Sequence, residues 1–157
     1  MHIVGIGSPF GFDQLGWLVI ERIRGDGARR LFGLGDAELS ALDRPGAGLL
    51  AAIGDSHAAI LVDAIEDDAL RRGTVVCLDG HRLQHGSGHA SSHGLGLAEA
   101  LALGRALDGL PARLAVVGMA AGGEGSRAPS VAEVEQVCAA VVETARCWQM
   151  SGGAPNG

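Results

Sequence analysis

The stretch Ala58-Ala59-Ile60-Leu61-Val62-Asp63 decides the fold. Its apolar residues follow one another without the alternation of a half-buried strand, and the run is too short for a buried helix, so it predicts a strand covered on both faces. The carboxylate that closes the run marks a strand emerging at a ligand-bearing sheet edge. Sheets buried on both faces are built from parallel strands joined by crossover helices.

Working outward, the flanking segments supply those pieces. Towards the N-terminus, residues 2–7 (His2-Ile3-Val4-Gly5-Ile6-Gly7) read as a first strand. The Gly/Pro loop Gly7-Ser8-Pro9-Phe10-Gly11-Phe12 follows, and then a helix over residues 13–24 with Leu15, Leu18, Val19 and Ile23 on one face. The segment 38–42 carries no clear period; 43–48 reads as a loop and 49–53 as a short helix. Towards the C-terminus, residues 74–78 form a strand, and 79–92, rich in Gly, Ser and His, a surface loop. A helix over 93–107, a strand over 114–118 and a final helix follow. The capping box Ser130-Val131-Ala132-Glu133 opens that last helix, with Val134, Val137, Cys138 and Val141 turned inward. The sum is an α/β fold: a single three-layer domain over 1–150, with a mostly parallel twisted sheet of about five strands flanked by helices. Residues 151–157 form a flexible tail.

Composition agrees with one buried sheet. The 157 residues are 47% hydrophobic but 3% aromatic, with no Tyr, so the core is expected to be made of Ala, Val, Leu and Ile. A net charge of −6 leaves no broad basic surface and argues against nucleic-acid binding. Cys77, Cys138 and Cys147 are odd in number and form no CxxC pair, so neither a disulfide framework nor a zinc site is expected. There is no signal-peptide pattern at the start and no apolar run of membrane-spanning length. The expectation is a cytoplasmic, acidic monomer with no membrane contact.

Three polar residues fall where strands hand over to loops or helices: Asp13, Asp63 and His93. In an open α/β sheet such positions gather at the carboxyl ends of the strands, and two carboxylates with an imidazole form a donor set for a borderline divalent metal. Each has a plainer reading. Asp13 can be a helix cap and His93 a surface histidine at a helix start. Asp63 is harder to explain that way, because a carboxylate at a buried strand end needs a partner or a cation. His81, His85, His89 and His93 recur every four residues, but Gly80, Gly86, Gly88 and Gly94 make a continuous helix there improbable, so a solvated loop is the simpler expectation and a metal-collecting tract the alternative. Gly5-Ile6-Gly7 begins a dinucleotide fingerprint that fails at Phe10, where a glycine is required; no phosphate loop or GxSxG elbow is present.

The three pieces together resemble the hydrogenase maturation endopeptidases. Gly5-Ile6-Gly7-Ser8-Pro9 with Asp13-Gln14-Leu15-Gly16 is similar to that family's opening GxGNPxxxDDGxG; Ile60-Leu61-Val62-Asp63-Ala64 is similar to its VDA strand; Ser92-His93-Gly94-Leu95 is similar to its S-x-H-x-L helix start. Order and separation also match, along almost the whole chain. Two departures stand out: Phe12 occupies the place of the first of two acidic residues, and the GGT-like loop appears as Arg44-Pro45-Gly46.

The resemblance implies a peptidase that removes the C-terminal extension of the nickel-loaded large-subunit precursor of a [NiFe] hydrogenase. It implies that Asp13, Asp63 and His93 contact the nickel and carry the catalysis, and that nickel comes with the substrate while the protein holds no permanent cofactor. The competing expectation is a non-enzymatic nickel-binding accessory protein that uses the His81–His93 loop.

Overall fold

The computed structural model describes residues 1–25, 27–83, 90–91, 95–122 and 127–151. In chain order the elements are β1 (His2–Gly7), a 3₁₀ turn (Gly11–Gln14), α1 (Leu15–Arg24), α2 (Ala28–Leu31), β2 (Glu38–Asp43), α3 (Gly48–Ile53), β3 (Ala58–Glu66), β4 (Val75–Asp79), β5 (Ala90–Ser91), α4 (Leu95–Ala106), β6 (Arg113–Ala120) and α5 (Val131–Ser151). The sheet runs β2-β1-β3-β6-β4, with the two-residue β5 beside β3. β2, β1, β3 and β6 are parallel; β4 and β5 run antiparallel to their neighbours.

Alternation along the strands divides the core in two. Ile3, Ile60, Val62, Ala64, Val117 and Met119 face α1 and α5, whereas Val4, Ile6, Ala59, Leu61, Leu114 and Val116 face α3 and α4. This is the three-layer α/β architecture expected from the apolar run at 58–62. The inward stripe of α5, Val134, Val137, Cys138, Val141 and Ala145, is buried. At about 1.5–3 kcal/mol for each fully buried large aliphatic side chain, this stripe rather than helix propensity holds α5 in place. The capping box forms: the Glu133 amide donates to Ser130 Oγ at 3.2 Å and the Ser130 amide to a Glu133 carboxylate oxygen at 2.7 Å.

Of the differences from the sequence reading, which include the unexpected α2, three bear on the sheet edge and the first helix. The segment without period, 38–42, belongs to β2, an edge strand whose partial burial leaves little hydrophobic signature. β3 does not stop at Asp63 but continues to Glu66, because its pairing with β6 persists to Ile65↔Ala120 and β5 pairs with Ile65 and Glu66. The helix expected from Asp13 begins instead at Leu15, after the 3₁₀ turn. Of the expected loop over 79–92, residues 84–89 and 92 lie outside the described residues, as do 93, 94 and the tail 152–157, while Ala90–Ser91 form β5. Among the described residues no helix is long and apolar enough to cross a membrane.

Candidate functional site

β1 and β3 are hydrogen-bonded neighbours only as far as Gly5↔Val62, whereas β1 stays with β2 through Gly7↔Asp43. Asp63 is therefore the first residue of β3 beyond the β1 pairing, while on its other side it remains opposite Gly118 of β6. β1 leads to β2 on one side and the chain then crosses to β3 on the other, so this split is the switch point of the sheet, where open α/β sheets form their ligand crevice. Asp63 is wholly buried, 0% exposed, and shares strand parity with Ala59 and Leu61, which places its side chain on the α3/α4 face. The switch point thus carries a buried carboxylate in the middle of β3, rather than at its tip.

The first turn of α1 closes over the same junction. A Cβ on Gly16 would lie 2.2 Å from the Ile6 carbonyl oxygen and 2.5 Å from that of Val62, so only a glycine lets the helix settle onto the point where β1 and β3 part. Three residues earlier, Asp13 rides in the 3₁₀ turn, half-buried. It is not the N-cap expected from the sequence: Phe10 and Gln14 hold the cap positions of the turn and of α1, and neither makes a side-chain cap bond. The Asp13 carboxylate instead accepts a hydrogen bond from Ser8 Oγ at 3.2 Å, and the Ser8 amide donates to the Asp13 carbonyl at 3.3 Å. These two bonds fold the Ser8–Asp13 loop back on itself and hold the carboxylate at the end of β1.

Phe12, which departs from the acidic pattern of the resembling family, is 1% exposed and anchors the turn in the core. The Arg72 guanidinium lies over its ring, 4.5 Å from the centroid, and Arg72 also donates to Glu133 at 3.2 Å and to the Ala121 carbonyl at 3.3 Å. A cation–π contact and an ion pair thereby join the Asp13 turn to the start of α5. Trp17 adds a second brace, its indole N–H donating to the Leu42 carbonyl at 2.9 Å across Gly7. The sequence reading gave Ser8, Trp17 and Arg72 no role. Ser8 lay inside the quoted motif, but nothing local marks Arg72 or Trp17.

The loop after β2 borders the site. The Arg44 amide donates to the Gly7 carbonyl at 3.2 Å, and both Arg44 and Gly46 have left-handed backbones, with φ of 40° and 49°. For arginine that conformation is strained. Its guanidinium is bonded to the Asp43 carboxylate at 2.7 Å, which together with the Asp43 charge raises its pKa; the charge of Asp13 adds a smaller push in the same direction. A cation therefore sits within electrostatic reach of Asp13.

The structure brings Asp13 and Asp63 to the same end of the sheet, from the loop after β1 and from β3. His93 lies outside the described residues; α4, which begins at Leu95, packs Leu97, Ala100 and Leu101 into the layer that Asp63 faces. Among the described residues no three His, Cys, Asp or Glu side chains are grouped as a metal site. Of the loop histidines, His81 is described: its Nε2 is 3.0 Å from the Pro111 carbonyl and its amide donates to Asp79 at 2.9 Å. His85 and His89 lie outside the described residues. All three cysteines are free.

No family model matches the chain, and neither does any curated protein. Solved structures do. The hydrogenase maturating endopeptidase HybD from E. coli superposes with a TM-score of 0.66 at 20% identity, covering 97% of this chain and 93% of that one. An endopeptidase from Escherichia coli gives 0.70 at 21% identity, with 98% and 95% covered. The [NiFe] hydrogenase maturation protease HybD from Thermococcus kodakarensis gives 0.63 at 20%, with 94% and 97% covered. These likenesses show that the chain has the α/β fold of those proteins over nearly its full length.

Proposed function

We propose that this protein is a peptidase that trims the C-terminal extension from the nickel-loaded large-subunit precursor of a [NiFe] hydrogenase. The observation that carries the reading is the position of Asp63, a carboxylate buried without exposure at the split between β1 and β3, with Asp13 held at the same sheet edge. A carboxylate so placed is costly to the fold and is kept where charge is needed. The likeness in fold to proteins described as hydrogenase maturation proteases supports it, as do the sequence motifs around both residues.

On this reading nickel belongs to the substrate. Asp13 and Asp63 with His93 offer two oxygen donors and one nitrogen, which complete the coordination of a metal already held by precursor thiolates. A loaded precursor gains these contacts and an empty one does not, so docking reports on metal insertion. A carboxylate of the set then serves as general base: water adds its oxygen to the scissile carbonyl, the C–N bond breaks, and the departing amine takes up a proton. The protein works as a cytoplasmic monomer. The accessory-protein alternative gains no support from His81, whose amide bonds Asp79 in its own turn and whose ring bonds the Pro111 carbonyl ahead of β6.

The test is to incubate purified protein with loaded and nickel-free precursor and follow the large subunit on a gel. The expected result is shortening of the loaded form alone, lost with Asp63→Asn and retained when His81, His85 and His89 are replaced together by alanine. A loaded cognate precursor left whole by the wild-type protein overturns the reading.

A further inference from the structure

β2 is an outer strand of the sheet, and the hydrogen bonds at its two ends fix which way its backbone groups face. The Glu38 amide donates to the Met1 carbonyl at 2.9 Å, and the Arg44 amide to the Gly7 carbonyl at 3.2 Å. In a parallel ladder alternate residues of a strand bond the same neighbour. Glu38, Ser40 and Leu42 therefore face β1, while Leu39, Ala41 and Asp43 turn their N–H and C=O groups away from the sheet. Arg24 bears out that parity, since its guanidinium reaches the Leu39 carbonyl from outside at 2.7 Å. Ala41 is exposed, and among the described residues neither its amide nor its carbonyl has a partner.

Outer strands are normally blunted by proline, bulges or charges, because their unpaired backbone groups recruit another strand. β2 has none of these around Ala41. Its register with β1 is unbroken from His2↔Glu38 to Gly7↔Asp43, it contains no Pro, and its charged residues, Glu38 and Asp43, stand at its two ends. Arg44 and Gly46, both left-handed, turn the chain after Asp43 into α3, which packs on the face of the sheet and leaves the edge clear. This edge also reaches the candidate site. β2 finishes opposite Gly7, where a Cβ would lie 2.4 Å from the Asp13 carbonyl oxygen. A strand added about 4.8 Å outside β2 would therefore begin at the end of the sheet that carries Asp13. The other outer strand, β4, is separated from Asp63 by β6, and its chain runs away from that end.

We propose that the free edge of β2 receives the precursor's C-terminal extension as an added strand, antiparallel to β2 and paired through Ala41. The inference rests on the peptidase reading. On that reading the body of the precursor is held through nickel at Asp13 and Asp63, whereas the extension ends freely and can lie extended. Starting from a bond cut beside Asp13, it runs outward along β2 against the strand's own direction, which gives the antiparallel sense. Ala41 then donates its N–H to one residue of the extension and accepts an N–H from the same residue. The bond from Arg24 to Leu39 ends the pairing one step further on. Such recognition works through main-chain groups, so it asks for an extended backbone rather than for a particular side chain.

The experiment measures kcat and KM of the full-length protein on its nickel-loaded cognate precursor, comparing Ala41→Pro with Ala41→Val. Proline deletes the outward N–H and none that β1 uses, so the sheet is kept, which thermal unfolding checks. Ala41→Pro is expected to raise KM about 10-fold with kcat unchanged, the worth of one hydrogen bond made equally in ground and transition states, while Ala41→Val keeps the wild-type KM. In a second arm the wild-type protein meets loaded precursors with proline at successive positions of the extension, beginning at the third residue after the cut. Cleavage is expected to weaken at every other position, the period of a strand. A folded Ala41→Pro with the wild-type KM, or a proline scan without alternation, overturns the assignment and leaves the peptidase reading standing; if Ala41→Pro does not fold, the scan decides alone. If Ala41→Pro abolishes a dimer of the wild-type protein without changing KM, a second copy occupies the edge and the extension does not. If wild type cuts none of the loaded precursors, the peptidase reading itself falls and takes this inference with it.

Discussion

Gly16→Ala is the substitution that tests most directly how the site is assembled. Its new methyl group would lie 2.2 Å from the Ile6 carbonyl oxygen, 2.5 Å from the Val62 oxygen and 2.7 Å from the Ile6 nitrogen. Normal C···O contacts are about 3.3–3.6 Å, so the overlap is roughly 1 Å on two strands at once. All three obstacles are backbone atoms of the central sheet, and none can rotate away. The helix must lift, carrying the Asp13 turn with it and away from Asp63. Overpacking of this kind costs about 1–3 kcal/mol, equivalent to roughly 2–12 °C in melting temperature for a chain of this length. A displacement near 1 Å between catalytic groups costs about 100-fold in rate. The assay pairs thermal unfolding with precursor cleavage, using Gly35→Ala as the control because a Cβ at Gly35 meets nothing within 4 Å. If Gly16→Ala unfolds at the same temperature as Gly35→Ala, α1 does not rest on the strand junction as described and the account of the site is wrong.

Phe12→Ala removes the fully buried ring under Arg72 and is expected to cost about 3–5 kcal/mol by urea unfolding, with Phe12→Leu losing much less; equal losses would mean the ring is not the anchor. Burial works to raise the pKa of Glu133, but hydrogen bonds from the Ser130 amide and hydroxyl and from Arg72, with the charge of Arg72, outweigh it and leave the carboxyl below its ordinary value. Its contribution is therefore present above the usual glutamate pKa and lost as pH falls through the lowered folded value. Glu133→Gln should cost about 1 kcal/mol near neutrality through the damaged cap, and the difference from wild type should shrink on acidification; a difference that is constant with pH refutes the assignment. Burial, helped by the charge of Glu135, pushes the Cys138 thiol up to about 11, with Arg22 opposing, whereas Cys77 and Cys147 are exposed. A disulfide reagent at neutral pH should label Cys77 and Cys147 promptly and Cys138 only after unfolding; prompt labelling of Cys138 contradicts its place in the core.

The two described candidate carboxylates were legible because their signals are local. An apolar run that ends in a carboxylate, and an acidic residue where the first strand hands over to a helix, are written in consecutive residues, and they singled out Asp63 and Asp13 as candidates. Roles that depend on distant partners left no such trace. Phe12 read as a defect in an acidic pattern, and becomes an anchor only because Arg72, from the segment before β4, lies over its ring. Asp13 looked like a helix cap because a carboxylate before a helical period usually is one; the 3₁₀ turn shifts the helix start to Leu15 and gives the carboxylate to Ser8.

From sequence alone follow the strands β1, β3, β4 and β6, the helices α1, α3, α4 and α5, the inward face of α5 and the pair of carboxylates placed after and within strands, since side-chain period and turn chemistry are properties of neighbouring residues. Where β1 lets go of β3, and how far β3 runs on beside β6, follow only from the folded sheet. Strand register is settled by hydrogen bonds between segments far apart in the chain and by the helix that packs over them. That register turns Asp63 from the last residue of an apolar run into a buried carboxylate at the point where β1 and β3 part.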